Sequence, residues 1–107
     1  MKLLLDESID VRFRTRIIGH DVFTVAFMRC KGLSNVALLA RAANDGFDAV
    51  ITTDLAVADQ QNAGALPLSL VILHARSNNV ADLEPLVPAL LREFNHLAPR
   101  SVVHVYP

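Results

Sequence analysis

Short runs of wholly apolar residues, separated by helix-like segments, constrain this 107-residue chain more than any other feature. The runs LLL, AVI and LVIL are too short for helices and do not alternate with polar residues, which is typical of strands buried on both faces. Parallel neighbours need a crossover, so such strands alternating with helices form βαβ units. The sequence therefore predicts a three-layer α/β fold with a mainly parallel five-stranded sheet and helices on both faces.

The predicted elements follow one another with little between them. We expect strands at 2–5, 20–25, 48–53, 68–74 and 101–105, and helices at 8–18, 35–45, 55–62 and 82–96. Ser8 is expected to cap the first helix, in which Arg12 and Arg16 share a face. Either Ser34 or Asn35 caps the second helix. Pro88 is expected to kink or delay the last helix.

Composition excludes several classes of protein. The hydrophobic share of 52% favours a well-filled core and a single domain over residues 1–107. No signal peptide and no apolar run of membrane-spanning length is present, so we expect a cytoplasmic protein with no membrane association. The single cysteine excludes an internal disulfide. The net charge of −1 excludes a strongly basic duplex-binding module.

The near-neutral total conceals an asymmetry along the chain. Residues 1–41 carry seven basic and four acidic side chains, whereas residues 42–107 carry three basic and seven acidic ones. Such an asymmetry points weakly to an anionic partner, although composition alone favours a solvated surface of mixed charge.

Acidic residues directly follow two of the predicted strands. Asp6 and Glu7 come after the first strand, and Asp54 comes after the third. The carboxyl ends of parallel strands form the binding edge of an α/β sheet, so these carboxylates are expected to converge there. Converging carboxylates favour a hard cation such as Mg²⁺ or Mn²⁺. The alternative is that they only cap helices and complement helix dipoles.

Further polar residues follow the third and fourth strands. The cluster Gln60, Gln61 and Asn62 lies beyond Asp54 and could orient water, bind nucleotide edges or cap a helix. The turn at 77–79 is expected at the same edge of the sheet, or simply to begin a helix. A phosphoacceptor receiver domain also places acids after its first and third strands. It needs a lysine after the fifth strand, however, and SVVHVYP has none, so this interpretation ranks lower.

An ordered set of motifs resembles a known family. The opening KLLLDES, the strand GHDVFTV, the helix start GLSN, the strand end VITTD, the QQN triplet and the segment LVILHARSNN–DLEPLVPALL are similar to those of short bacterial PIN-like proteins. These are commonly described as VapC-like toxins of toxin–antitoxin pairs. Each motif is weak alone, but the ordered set covers nearly the whole chain.

The resemblance implies a PIN-like, Rossmann-like parallel sheet with the first strand central. It also implies RNA cleavage at a cluster of acids around Mg²⁺ or Mn²⁺. Asp6, Glu7 and Asp54 match the acids of that cluster, and Asp59 is a substitute metal ligand. The resulting hypothesis assigns substrate contacts to Asn35, Gln60, Gln61, Asn62, Arg12 and Arg16. A small cognate antitoxin and a homodimer are the partners that the resemblance implies.

Two positions depart from the family pattern. Ala37 stands where relatives usually carry an acid, and Ala56 stands where they tend to carry a polar or acidic residue. The remaining carboxylates are enough for one metal ion rather than a closely spaced pair. Two hypotheses follow: a metal-dependent ribonuclease, or a degenerate PIN-like domain that binds protein or RNA without cleaving it.

Overall fold

The computed structural model describes residues 1–59 and 65–107 and contains a five-stranded sheet in which every neighbouring pair is parallel. The strand order is β2-β1-β3-β4-β5. The strands are β1 (Lys2–Leu5), β2 (Asp21–Thr24), β3 (Ala49–Thr52), β4 (Ser69–Leu73) and β5 (Val102–Val105). The predicted α/β architecture is confirmed. The expectation of a central first strand needs correction, because β3 occupies the centre and β1 lies between β2 and β3.

Helices cover both faces of the sheet, as the sequence predicts. They are α1 (Asn35–Asn44), α2 (Ala56–Asp59), α3 (Val80–Leu83) and α4 (Val87–Phe94), with 3₁₀ helices at Val11–Arg16 and Glu84–Leu86. Side chains alternate between the faces, so Leu3 and Leu5 pack under the first 3₁₀ helix and α4, whereas Leu4 packs under α1. All three leucines are almost fully buried, which explains their unbroken apolar run.

The first helix differs from the prediction in type and in starting point. Its capping residue is Asp10, whose carboxylate accepts the Arg12 backbone N–H at 3.0 Å. Ser8 does not cap it, because the Ser8 hydroxyl donates to Asp6 instead. A 3₁₀ helix has three residues per turn, so Arg12 and Arg16, four positions apart, do not share a face as predicted.

The last helix is interrupted where the prolines predict. Pro85 lies in the 3₁₀ turn Glu84–Leu86, and Pro88 occupies the first turn of α4. Proline has no N–H to donate, so it is tolerated in a first turn but not in a helix interior. In the second helix, Ser34 is the cap, since its hydroxyl accepts the Ala37 N–H at 3.2 Å.

Two crossovers on the same face have opposite handedness. The 3₁₀ helix after β1 and the helices after β4 contribute Phe13, Leu83 and Leu90 to one buried cluster, so both lie on that face. The chain moves along the sheet in one direction from β1 to β2 and in the other from β4 to β5. Nearly all βαβ crossovers share one hand, so this arrangement is unusual. It brings the loop after β4 back over the first segment, where the Asn78 carbonyl accepts the Asp10 N–H at 3.2 Å.

Within residues 1–59 and 65–107, no helix has both the length and the apolar character needed to cross a bilayer.

Candidate functional site

The carboxyl ends of β1 and β3 form the topological switch point of the sheet. From β1 the chain crosses to β2 on one side, and from β3 it crosses to β4 on the other. Crevices at such points are where ligands bind in open α/β sheets. Asp6 directly follows β1 here, and its backbone N–H donates to the Ile51 carbonyl of β3 at 2.9 Å.

Asp6 is half-buried, and its carboxylate is held by three donors. Oδ2 accepts the Thr52 hydroxyl at 2.8 Å and the Ser8 hydroxyl at 3.0 Å. Oδ1 accepts the Glu7 backbone N–H at 2.8 Å. Hydrogen bonds to an ionised acceptor are the stronger ones, so the orientation of this carboxylate is fixed before any ligand binds.

Thr52 joins the two acidic segments. Its side chain is fully buried at the end of β3. Its hydroxyl proton goes to Asp6, while its oxygen accepts the Asp54 backbone N–H at 3.0 Å. A hydroxyl has one proton and two acceptor positions, so it can hold a carboxylate and a backbone amide at once. The turn that carries Asp54 is therefore positioned relative to Asp6.

Thr53 extends the same network toward the loop after β4. Its hydroxyl donates to the Asn78 side-chain oxygen at 2.5 Å and lies 3.4 Å from the Ser8 hydroxyl oxygen. Side chains from the segments after β1, β3 and β4 thus meet at one edge. The sequence predicts that the 77–79 turn lies at this edge, and the contact of Asn78 with Thr53 confirms it.

The other predicted acids lie at this edge but have partners of their own. Asp54 is exposed, and its Oδ1 accepts the Ala56 N–H at 2.9 Å, as a helix-capping residue does. Glu7 is exposed, and its Oε1 accepts the Gly32 N–H at 3.2 Å in the loop before α1. Asp59 is the exposed last residue of α2. Across the described part of the chain, no three His, Cys, Asp or Glu side chains form a group that could hold a metal ion.

The predicted substrate-binding residues have mixed outcomes. Asn35 is the half-buried first residue of α1. Gln60, Gln61 and Asn62 lie outside the described residues. Arg12 and Arg16 both form exposed ion pairs, with Asp10 at 2.6 Å and with Glu84 at 2.5 Å.

The Arg12–Asp10 pair has the clearest electrostatic effect. Hydrogen bonds from the Arg12 guanidinium, and then from its backbone N–H, hold the pKa of the Asp10 carboxyl far below its usual range. The same pair raises the pKa of Arg12. Arg16 and Arg41 pair with Glu84 and Asp45, acids beyond residue 41, so part of the basic excess of the first 41 residues is offset by contact.

Two cavities flank the site, and each includes one basic side chain. The first, of about 150 Å³, is lined by Asp6, Glu7, Thr24 and Lys31 among others. The second, of about 350 Å³, lies on the far side of Thr53 and includes His74 and Arg76. Basic groups on either side of this edge are suited to bind phosphates.

Three hydroxyl residues escaped the sequence interpretation of the site. Ser8 was expected to cap a helix, and Thr52 and Thr53 were expected only to end a strand. The available signal was their position, since hydroxyls flank the acids in D-E-S and in T-T-D. Comparisons of the chain with protein-family models, with curated proteins and with solved structures find no match, so the family resemblance rests on the ordered sequence motifs.

Proposed function

We propose that the protein is a PIN-like, metal-dependent ribonuclease that hydrolyses RNA phosphodiester bonds, the toxin of a toxin–antitoxin pair. The observation that carries this proposal is the half-buried Asp6 carboxylate, oriented by Thr52 and Ser8 at the switch point of the sheet. Preorganised polar groups at such a crevice are typical of active sites in α/β proteins.

The donor set fits one hydrated cation. Asp6 Oδ1 accepts a single hydrogen bond, and the exposed Asp54 uses one oxygen for its helix. Mg²⁺ is usually held by one or two carboxylates together with water and substrate phosphates. Asp6 and Asp54 would hold Mg²⁺ or Mn²⁺, with Glu7 acting through water. The ion would activate water and stabilise charge on the phosphate. The same set does not fit two closely spaced ions.

The chain's own residues would position the substrate. Lys31 and Arg76 each line a cavity beside the acidic site, so both can contact the RNA backbone. Arg12 and Arg16 would need to exchange an acidic partner for a phosphate. The proposal includes a small antitoxin as partner, a homodimer and a cytoplasmic location, all of which rest on the resemblance.

RNA cleavage tests the proposal directly. We expect the wild type to cleave RNA with Mg²⁺ or Mn²⁺ and not with EDTA, and we expect Asp6→Asn and Asp54→Asn to lose that activity. Asp21→Asn is the matched control, because Asp21 is an exposed acid at the opposite edge of the sheet, where β2 begins. Equal residual activity in all four proteins would show that the acids do not support cleavage.

A second function, a binding module that does not cleave, has a specific observation in its favour. The carboxylates of Asp6, Glu7 and Asp54 all accept hydrogen bonds from the protein itself. Calorimetric titration with Mn²⁺ separates the two functions. Binding heat that disappears in Asp6→Asn supports the nuclease, whereas no heat at millimolar Mn²⁺ supports the binding module. A short DNA-binding protein in the neighbouring reading frame would support the antitoxin partnership in either case.

A further inference from the structure

Three aromatic side chains lie together at the end of the sheet opposite β2, and two of them stack. The His74 and Tyr106 rings stack with centroids 4.2 Å apart and planes at 18°. His74 Nε2 and His104 Nδ1 are hydrogen-bonded at 2.8 Å. His74 follows β4, His104 lies in β5 and Tyr106 follows β5. We term these three residues the aromatic platform.

The platform is accessible from solvent. The side chain of Tyr106 is 60% exposed, and His104 is also exposed. Because β5 is an edge strand, its outer side has no neighbouring strand among the described residues. Stacking on His74 restricts the Tyr106 ring. A planar ligand that binds this ring would therefore lose less side-chain entropy than one that binds a freely rotating ring.

A basic side chain and a cavity lie between the platform and the acidic site. His74 and the exposed Arg76 line the cavity of about 350 Å³, together with Thr53. Thr53 in turn lies 3.4 Å from Ser8, whose hydroxyl donates to Asp6. Arg76 forms no ion pair with any residue of the described segments, unlike Arg12 and Arg16. Its charge is thus available to an anionic ligand.

We propose that the aromatic platform is a subsite for one unpaired nucleobase of the substrate and that Arg76 contacts the adjoining phosphate. This inference rests on the proposed function and adds binding residues outside the acidic site. Bases in a duplex are stacked on each other and do not offer a free face, whereas unpaired bases stack readily on tyrosine and histidine. The two histidines are hydrogen-bonded to one another and lack a third ligand among the described residues, which disfavours a metal site there.

Tyr106 provides its own spectroscopic probe, because the chain contains one tyrosine and no tryptophan. The experiment uses the full Asp6→Asn chain in EDTA, so that binding is measured without cleavage. The probe is an unstructured RNA of about ten nucleotides, within the range of site sizes for single-strand binding. We expect saturable quenching of the tyrosine fluorescence. An abasic strand of equal length, which keeps the charge and loses the bases, is expected to quench little.

Substitutions then distinguish base stacking from electrostatic attraction of the RNA backbone. By anisotropy of a labelled RNA, Tyr106→Ala is expected to weaken binding about tenfold, while Tyr106→Phe stays near the wild type. Phe27→Ala is the matched control, since Phe27 is 71% exposed at the opposite end of the sheet and should have no effect. Arg76→Gln is expected to weaken binding and to lower the salt slope by about one.

Each outcome bears on one proposal and not on both. Equal binding by Tyr106→Ala and Phe27→Ala, or equal binding of the abasic strand, would overturn the aromatic platform. Preferred binding of a duplex of the same length would overturn it too. Failure of the wild type to cleave RNA, with base-dependent binding intact, would overturn hydrolysis and leave the platform standing. Circular dichroism of each variant verifies folding.

Discussion

Asp6 and Asp54 both follow neighbouring parallel strands, one and two residues after the strand end, yet they have different surroundings. Asp6 is half-buried and receives hydrogen bonds from two side-chain hydroxyls and one backbone N–H. Asp54 is exposed, and its side chain accepts one bond, from the backbone two residues further on. The first carboxylate connects its own turn to the end of β3, whereas the second serves its own turn.

The difference shows that position after a strand and organisation within a site are separate properties. Position follows from the direction of the sheet, since the carboxyl ends of all parallel strands lie at one edge. Organisation depends on which donors other segments bring to that edge. The Thr52 hydroxyl donates to the side chain of Asp6 but accepts only the backbone N–H of Asp54, so this one hydroxyl orients the first carboxylate and not the second.

The largest expected effect is a difference between the two acids in what each contributes to the free energy of unfolding. Asp6→Ala leaves the buried Thr52 hydroxyl and the Ser8 hydroxyl without their acceptor, so we expect a loss of roughly 3 kcal/mol in the free energy of unfolding. Asp54→Ala removes only a capping bond, for which about 1 kcal/mol is typical. Urea unfolding measures both. Equal losses would mean that the contrast between the two acids has no energetic basis.

A smaller effect tests the hydroxyl that joins them. Thr52→Val keeps the volume of a fully buried side chain but leaves the Asp54 N–H and one Asp6 acceptor position unpaired. We expect destabilisation of roughly 1–2 kcal/mol, with most of it recovered in Thr52→Ser. Thr53→Val is the comparison variant, because Thr53 is less buried, and it should lose less. If Thr53→Val proves the more damaging, Thr52 is not the central link.

The smallest effect concerns a third acid, Asp10, whose partner is a cation. Its pKa is lowered by the hydrogen bonds from Arg12, so its contribution to stability is complete above the unfolded pKa of about 3.9 and shrinks as the pH falls from there toward the lowered folded pKa. Asp10→Asn should therefore reduce the urea midpoint slightly at pH 7 and by less near pH 2. A difference from wild type that grows on acidification would contradict this sign.

The sheet was predictable because its signal is local. Leu3, Leu4 and Leu5 face both layers of the core, and a chain buried on both faces must be apolar at every position. The cap of α1 was predictable to within one residue, Ser34 or Asn35, since a capping residue acts within three positions of itself. Ser8 followed neither rule, because a partner in the preceding turn, Asp6, competed for its hydroxyl.

The place of β1 was not predictable in this way, and for Asn78 the sequence predicted the edge of the sheet but not the partner, Thr53. Strand order and crossover direction depend on contacts between distant segments, and no periodicity in the chain encodes them. The return of the loop after β4 brings Asn78 within 2.5 Å of Thr53, 25 residues earlier in the chain. Similarly, the sequence analysis assigns Arg12 and Arg16 to substrate contacts, and only the tertiary structure places Glu84 beside Arg16.

The sequence by itself determined the α/β class, the burial of the strands and the presence of acids at the carboxyl edge. Hydrophobic pattern and chain direction decide these properties locally. Only the tertiary structure decided which carboxylate is held, by which hydroxyls, and that an aromatic stack with an unpaired arginine lies across Thr53 from it. Those features are distances between side chains far apart in sequence. They are set by the strand order and by the donors that it places next to each acceptor.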